Sequence, residues 1–114
     1  MAIIMHSCEG DQYKYTPPSI RPIASNITQT EADITGIAMY AESVYFEYGI
    51  SISYGTSVSG GTWYLTPNNG GYVSFTAHAH LTGLNPGTTY HYRGVAKYKK
   101  KTNYSPDQTF TTLN

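Results

Sequence analysis

Two histidines lie two residues apart in the run "YVSFTAHAHL", at His78 and His80. In an extended strand both imidazoles point to the same face, where they could bind zinc together with Asp33 from a neighbouring predicted strand. The alternation of the run gives a simpler interpretation, because its small and apolar residues point inward and require polar residues between them. We therefore expect a solvent-facing strand, no metal site and no cofactor. The inward residues are Val73, Phe75, Ala77, Ala79 and Leu81.

The main charge cluster of the chain is the run "KYKKKTNY" at residues 97–104. Such a turn could bind phosphates, acidic sugars or an acidic protein, with tyrosine rings stacking on the ligand. It could equally be a solvated turn whose lysines discourage pairing at a sheet edge. Both interpretations stay open, and the structural one is slightly favoured. The candidate interaction residues are Lys97, Tyr98, Lys99, Lys100, Lys101 and Tyr104.

Two further groups of side chains are candidates for recognition. His91 and Arg93 are expected to lie outward, near Tyr45 and Glu47 of another strand, as a mixed aromatic and charged patch. Ordinary cross-strand pairs explain the same pattern, and we favour that explanation.

Trp63 and Tyr64 flank glycine-rich loops. Aromatic rings near such loops can stack on sugars, so these two residues are candidates for glycan binding. More often such rings cover one end of a sandwich, and we favour that interpretation.

Catalytic chemistry has little support in the sequence. The single cysteine, Cys8, lies in an N-terminal stretch without a clear pattern, and no histidine lies near a plausible nucleophile turn. We therefore expect no catalytic residue and no enzymatic activity.

Charge and length limit the classes of partner. Seven basic and seven acidic residues cancel, whereas a nucleic-acid-binding protein normally carries a basic excess. The start "MAIIMHSCEG" is too short in its apolar part for a signal peptide or a membrane span. We expect neither nucleic-acid binding nor membrane insertion.

The organisation is that of a short arm followed by one domain. Pro17 and Pro18 end an arm at residues 1–16, because proline neither continues a helix nor fits inside a central strand. From there to residue 114, short alternating segments separated by Gly, Asn, Pro and Ser predict about seven antiparallel strands in a β-sandwich. The predicted strands cover 19–25, 32–39, 44–48, part of 50–59, 63–66, 73–81, 88–99 and 107–113.

The run "LTGLNPGTTYHYRGVA" predicts a corner between the two sheets. Leu84 precedes Pro86, which presets its own backbone angle, and Gly87 can adopt the positive φ that the turn requires. Tyr90 can place its ring in the core while its hydroxyl bonds back to the turn backbone, as in a tyrosine corner.

These segments resemble the fibronectin type III family. "LNPGTTYHYRGVA" resembles its link between the fifth and sixth strands, "VYFEYGISISYG" the third strand and following loop of microbial and phage members, "TEADITGIA" the second strand and "DQTFTT" the last. The resemblance covers residues 17–113 and implies a seven-stranded sandwich without catalytic machinery. Gly36 stands where many animal members have tryptophan. Gly94 stands where valine is usual, and we interpret it as room for a tyrosine such as Tyr92 or Tyr48.

Members of this family act as spacers, adhesion modules and virion ornaments. We therefore expect a structural or protein-interaction module on a virion, as a decoration or tail component, or on a cell surface, with other subunits of that assembly as partners. The apolar residues Ile3, Ile4 and Met5 could add a strand to a neighbouring chain. The alternatives are an adhesion or carbohydrate-binding module of a larger secreted protein, with glycans as partners, and a cytoplasmic domain that binds a partner through the lysine-rich turn.

Overall fold

The computed structural model describes residues 17–62 and 74–114, which form two antiparallel sheets. The smaller sheet has the strand order β1-β2-β5, and the larger has the order β4-β3-β6-β7 with β8 also paired to β6. The described part of the chain contains no helix that is long and apolar enough to cross a lipid bilayer. The strands are β1 Ser19–Ser25, β2 Ala32–Met39, β3 Ser43–Gly49, β4 Thr56–Thr62, β5 Ser74–Leu81, β6 Thr89–Tyr98, β7 Lys101–Tyr104 and β8 Gln108–Thr111.

The predicted all-β sandwich is confirmed, but residues 101–104, which the sequence predicts as part of a turn, form the strand β7 ahead of β8. Along β6, β7 ends with Tyr104 opposite Val95 and β8 begins with Gln108 opposite Tyr92. The three residues 105–107 therefore lie opposite two residues of β6, Arg93 and Gly94, and this extra residue makes a β-bulge. Ser105 bridges it, because its N–H donates to the Gly94 carbonyl at 2.9 Å and its Oγ accepts from the Gly94 N–H at 2.7 Å.

The core follows the alternation that the sequence predicts. The smaller sheet contributes mainly alanines, which leaves space for the rings of the larger sheet. Tyr90 and Tyr92 pack with Phe110, with ring centroids 5.5 and 5.7 Å apart. The hydroxyl of Tyr92 also reaches across the sandwich and accepts a hydrogen bond from the Ala24 N–H of β1 at 3.1 Å. The buried residues of β2 and β5 are Ala32, Ile34, Ala38, Ala77, Ala79 and Leu81.

The interpretation of Gly94 as room for a tyrosine is wrong. A Cβ at Gly94 would lie 2.8 and 2.9 Å from Cγ2 and Cγ1 of Ile20 in the facing sheet, so isoleucine occupies this space. Tyr92 points into the core two residues away along the same strand. Gly36 has a related role, since a Cβ there would meet the backbone carbonyl of Arg21. Both glycines allow β1 to approach closely.

Local differences from the predicted strands arise at turns. β4 begins at Thr56 because residues 51–54 form a turn, in which the Tyr54 N–H donates to the Ser51 carbonyl at 2.9 Å. β6 ends at Tyr98, since Lys99 has a φ of 53° and starts the turn into β7. The predicted strand at 63–66 and the arm at 1–16 lie outside the described residues.

Candidate functional site

The corner between β5 and β6 has the expected tyrosine-corner geometry. The Asn85 N–H donates to the Tyr90 hydroxyl at 2.8 Å, and Gly87 has a φ of 59°. The Thr112 hydroxyl donates to the Asn85 carbonyl at 2.5 Å and accepts from the Thr88 N–H at 2.9 Å. Leu84 is buried beneath these contacts, and Pro86 forms the turn with Gly87. These residues serve the fold, because their polar groups bond to one another.

The histidine pair of β5 forms a polar cluster on the outer face of the smaller sheet. Asp33 lies opposite His80 in the register of β2 and β5. Its Oδ1 atom is 2.6 Å from His80 Nδ1 and 3.5 Å from His78 Nε2, while His80 Nε2 is 3.2 Å from Glu31 Oε1. Asn26 Nδ2 donates to Asp33 Oδ2 at 2.8 Å. Among residues 17–62 and 74–114, no group of three or more histidine, cysteine or acidic side chains has an arrangement that could hold a metal ion.

This cluster predicts a pH dependence of stability. The hydrogen bond to Asp33 raises the pKa of His80 above its ordinary value of 6.5, and the same bond, with that from Asn26, lowers the pKa of Asp33 below 3.8. The contribution of His80 to the free energy of unfolding is therefore complete below pH 6.5 and is lost as the pH rises through its raised pKa. The contribution of Asp33 is present above pH 3.8 and is lost as the pH falls through its lowered pKa.

We expect the free energy of unfolding to fall as the pH rises above about 6.5 through the raised pKa of His80, and to fall less steeply in His80→Gln and Asp33→Asn. Urea unfolding of the three proteins at several pH values measures these slopes. Slopes in both variants that equal the slope of the unaltered chain would contradict the assignment.

The outer face of the larger sheet holds a second network, centred on Arg93. Strand alternation directs Arg93 and Glu47 outward, and the register places them opposite each other. Arg93 Nε donates to Glu47 Oε1 at 2.6 Å. The guanidinium carbon lies 4.7 Å from the ring centroid of Tyr54 and 4.3 Å from that of Tyr104. Arg93 is thus held by one carboxylate and two aromatic rings.

The bulge before β8 brings Asp107 into the same network. Asp107 Oδ2 is 2.9 Å from His91 Nδ1, and Oδ1 accepts a hydrogen bond from the Tyr54 hydroxyl at 2.8 Å. The contact with His91 holds the pKa of Asp107 below its ordinary value. Burial, and then the bond to Asp107, raise the pKa of Tyr54. Tyr54 therefore anchors the loop between β3 and β4 over the face of β6.

The sequence interpretation did not assign Tyr54 and Asp107 to this patch. Tyr54 comes from a loop, where strand alternation gives no direction for a side chain. Asp107 depends on the extra residue in the last strand, for which the proline at position 106 was the available signal.

The structure divides the predicted lysine-rich cluster between two faces. Lys97 and Tyr104 lie on the outer face with Arg93, and Lys97 Nζ is 5.5 Å from the ring centroid of Tyr45. Tyr98 and Lys101 pair with each other and belong to the opposite face. Lys99 and Lys100 form the turn, with Lys99 Nζ 5.3 Å from the Tyr98 ring centroid.

The remaining candidates lie outside the described residues. These are the proposed sugar-stacking residues Trp63 and Tyr64, the arm residues Ile3, Ile4 and Met5, and Cys8.

Comparison with solved structures supports the fold. No model of a protein family and no curated protein matches the sequence. Two structures of the sensor domain of the anti-sigma factor RsgI4 in Pseudobacteroides cellulosolvens are similar in fold. The short form has 21% identity and a TM-score of 0.57, covering 87% of this chain and 97% of its own. A second structure of that domain, determined in solution, has 22% identity and a TM-score of 0.55, covering 84% of this chain and 74% of its own.

A third similar structure is a computer-based redesign of a β-sandwich protein. It shares 31% of its sequence with this chain at a TM-score of 0.57, and the match covers 86% of this chain and 95% of the redesigned protein. Identity at this level over nearly the whole of that protein agrees with the two-sheet sandwich described above. The chain therefore belongs to the β-sandwich proteins.

Proposed function

We propose that this chain is a non-catalytic protein-interaction module of fibronectin type III kind, displayed on a surface assembly such as a virion or a cell-surface structure. The observation that carries the proposal is the outer face of the larger sheet, where Arg93 is held between the rings of Tyr54 and Tyr104. Arginine and tyrosine are the residues that most often dominate protein interfaces. A side chain already fixed in position loses little entropy when a partner binds.

The strand order supports the fibronectin type III assignment. β4 pairs with β3 and extends the larger sheet, leaving three strands in the smaller sheet. In a constant-type immunoglobulin domain the fourth strand joins the other sheet. The tyrosine corner between β5 and β6 also lies where the resembling motif predicts it.

Two observations support a recognition role without catalysis. His80 and His91 each contact a carboxylate on an open strand face, at Asp33 and Asp107 respectively. The first contact links β5 to β2, and the second links β6 to the residue that precedes β8, which is a structural role. The sandwich is also shared with sensor domains of an anti-sigma factor, a fold likeness that fits a recognition module.

The assembly part of the proposal assigns a docking role to the arm, through Ile3, Ile4 and Met5. Sedimentation velocity of the full chain, of the chain lacking residues 1–16, and of Ile3→Ser/Ile4→Ser tests it. We expect concentration-dependent oligomers from the full chain alone. A monomeric full chain would contradict self-assembly through the arm, and a glycan-array signal from that monomer would favour the carbohydrate-binding alternative.

A further inference from the structure

Positive charge is concentrated at one end of the larger sheet. Apart from Arg21, every lysine and arginine that the structure describes lies in β6, in β7 or in the turn between them. The carboxylates near this end are Glu42, which accepts a hydrogen bond from the Lys99 N–H at 3.2 Å, Glu47, which binds Arg93, and Asp107, whose charge also interacts with that of Arg93. The five lysine and arginine residues outnumber these three carboxylates. Ion pairs between described residues do not include Lys97, Lys99 or Lys100. This end of the sheet therefore has an excess of positive charge.

The Arg93 side chain is positioned to bind a further acidic group. Its hydrogen bond to a described residue uses Nε, so the Nη groups remain as donors toward a ligand. The side chain is 30% exposed, and the rings of Tyr54 and Tyr104 limit its movement. A guanidinium presents its N–H groups as a planar fork that matches the two oxygens of a carboxylate.

The spacing along β6 defines the shape of the ligand. Arg93 and Lys97 point outward four residues apart, which corresponds to about 13 Å in a strand. Val95 lies between them on the same face and is fully buried, with Tyr45 and Tyr104 as its register partners on the two sides. An extended segment laid along β6 would have the same spacing, with carboxylates at positions i and i+4 and an apolar or aromatic side chain at i+2.

We infer that the outer face of β6 and β7 binds an extended acidic segment of a partner protein, with one carboxylate on Arg93, a second on Lys97 and an aromatic side chain over Tyr45 and Tyr104. Charge complementarity and the matched spacing carry this inference. It rests on the proposed function as an interaction module, since it names the partner chemistry of that surface.

Two peptides of equal composition test the spacing. The matched peptide is acetyl-Glu-Ser-Tyr-Ser-Glu-amide, and the control is acetyl-Glu-Glu-Tyr-Ser-Ser-amide. Each is titrated into the ¹⁵N-labelled full chain at low salt, and the backbone amide shifts are followed by NMR. We expect amide shifts confined to β6, β7 and the part of β3 that pairs with β6. We also expect an affinity for the matched peptide about fivefold above that for the control.

Variants of the chain test the two cations. Arg93→Gln and Arg93→Lys should each weaken binding of the matched peptide about tenfold. Glutamine removes the positive charge, and lysine keeps the charge but lacks the planar fork of N–H groups. Lys97→Gln should weaken binding by a smaller factor. Arg21→Gln, which removes a positive charge from the other sheet, should leave the affinity unchanged. An amide spectrum of each variant verifies that the sandwich is folded.

Four results would overturn the inference. Equal affinity for the two peptides, or no shift with about 5 mM of the matched peptide, would exclude spacing-specific binding. Loss of binding in Lys97→Gln without loss in Arg93→Lys would describe general attraction of polyanions. Heparin binding that is tighter than peptide binding and unaffected by Arg93→Lys would assign the face to an anionic glycan. A negative peptide titration would not change the outcome of the sedimentation experiment on the arm. The two experiments can therefore contradict the two proposals independently.

Discussion

Gly94→Val is expected to lower the free energy of unfolding by about 1–3 kcal/mol, the usual cost of adding atoms to a packed core. The reason is specific to this chain, because the first added carbon would lie 2.8 and 2.9 Å from two carbons of Ile20. Either β1 moves away from β6, or Ile20 leaves its preferred rotamer. Urea unfolding of the variant and the unaltered chain measures the difference.

A double-mutant cycle identifies Ile20 as the opposing residue. Ile20→Ala alone should cost about 2–5 kcal/mol. Combined with Gly94→Val, it should cost less than the sum of the two changes, because the valine methyl groups occupy the vacated volume. Gly36→Ala provides a comparison, since its Cβ would meet the Arg21 backbone carbonyl and would also lie 3.1 Å from Ile20 Cδ1. Ile20→Ala should relieve only the second of these contacts, so its coupling with Gly36→Ala should be smaller than its coupling with Gly94→Val. Additive costs for Gly94→Val and Ile20→Ala would contradict the packing described here.

Tyr90→Phe is expected to cost about 1–3 kcal/mol, because the Asn85 N–H loses its hydrogen-bond partner in a partly buried corner. The ring remains in place, so packing against Phe110 changes little. The same hydroxyl deletion at Tyr104, a residue that is 51% exposed, should change stability by less than about 0.5 kcal/mol. Chemical unfolding of the two variants compares them directly. Equal effects would mean that the corner hydrogen bond adds nothing.

Thr112→Val extends the test to the other side of the corner. It removes the donor to the Asn85 carbonyl and the acceptor for the Thr88 N–H, while keeping the shape of the side chain. We expect a loss of about 1–3 kcal/mol, as for Tyr90→Phe. The two changes act on the same residue, Asn85, so their effects should not be additive.

The sequence by itself determined the class of fold and the corner. Alternation in the run that becomes β5 predicts which residues face the core, because neighbouring side chains in a strand point to opposite faces. Pro86, Gly87 and Tyr90 predict the corner through turn chemistry that acts over a few residues. These signals are local, so they can be interpreted without knowing which strands are neighbours.

Only the tertiary structure decided the contacts that join distant parts of the chain. Gly94 accommodates Ile20, a residue of the facing sheet, and no pattern within β6 indicates that partner. Asp107 reaches His91 and Tyr54 because an extra residue shifts the register of the last strand. Arg93 lies between two rings supplied by a loop and by β7. Such contacts depend on register and on the approach of the two sheets, which are set by the packing of the whole sandwich.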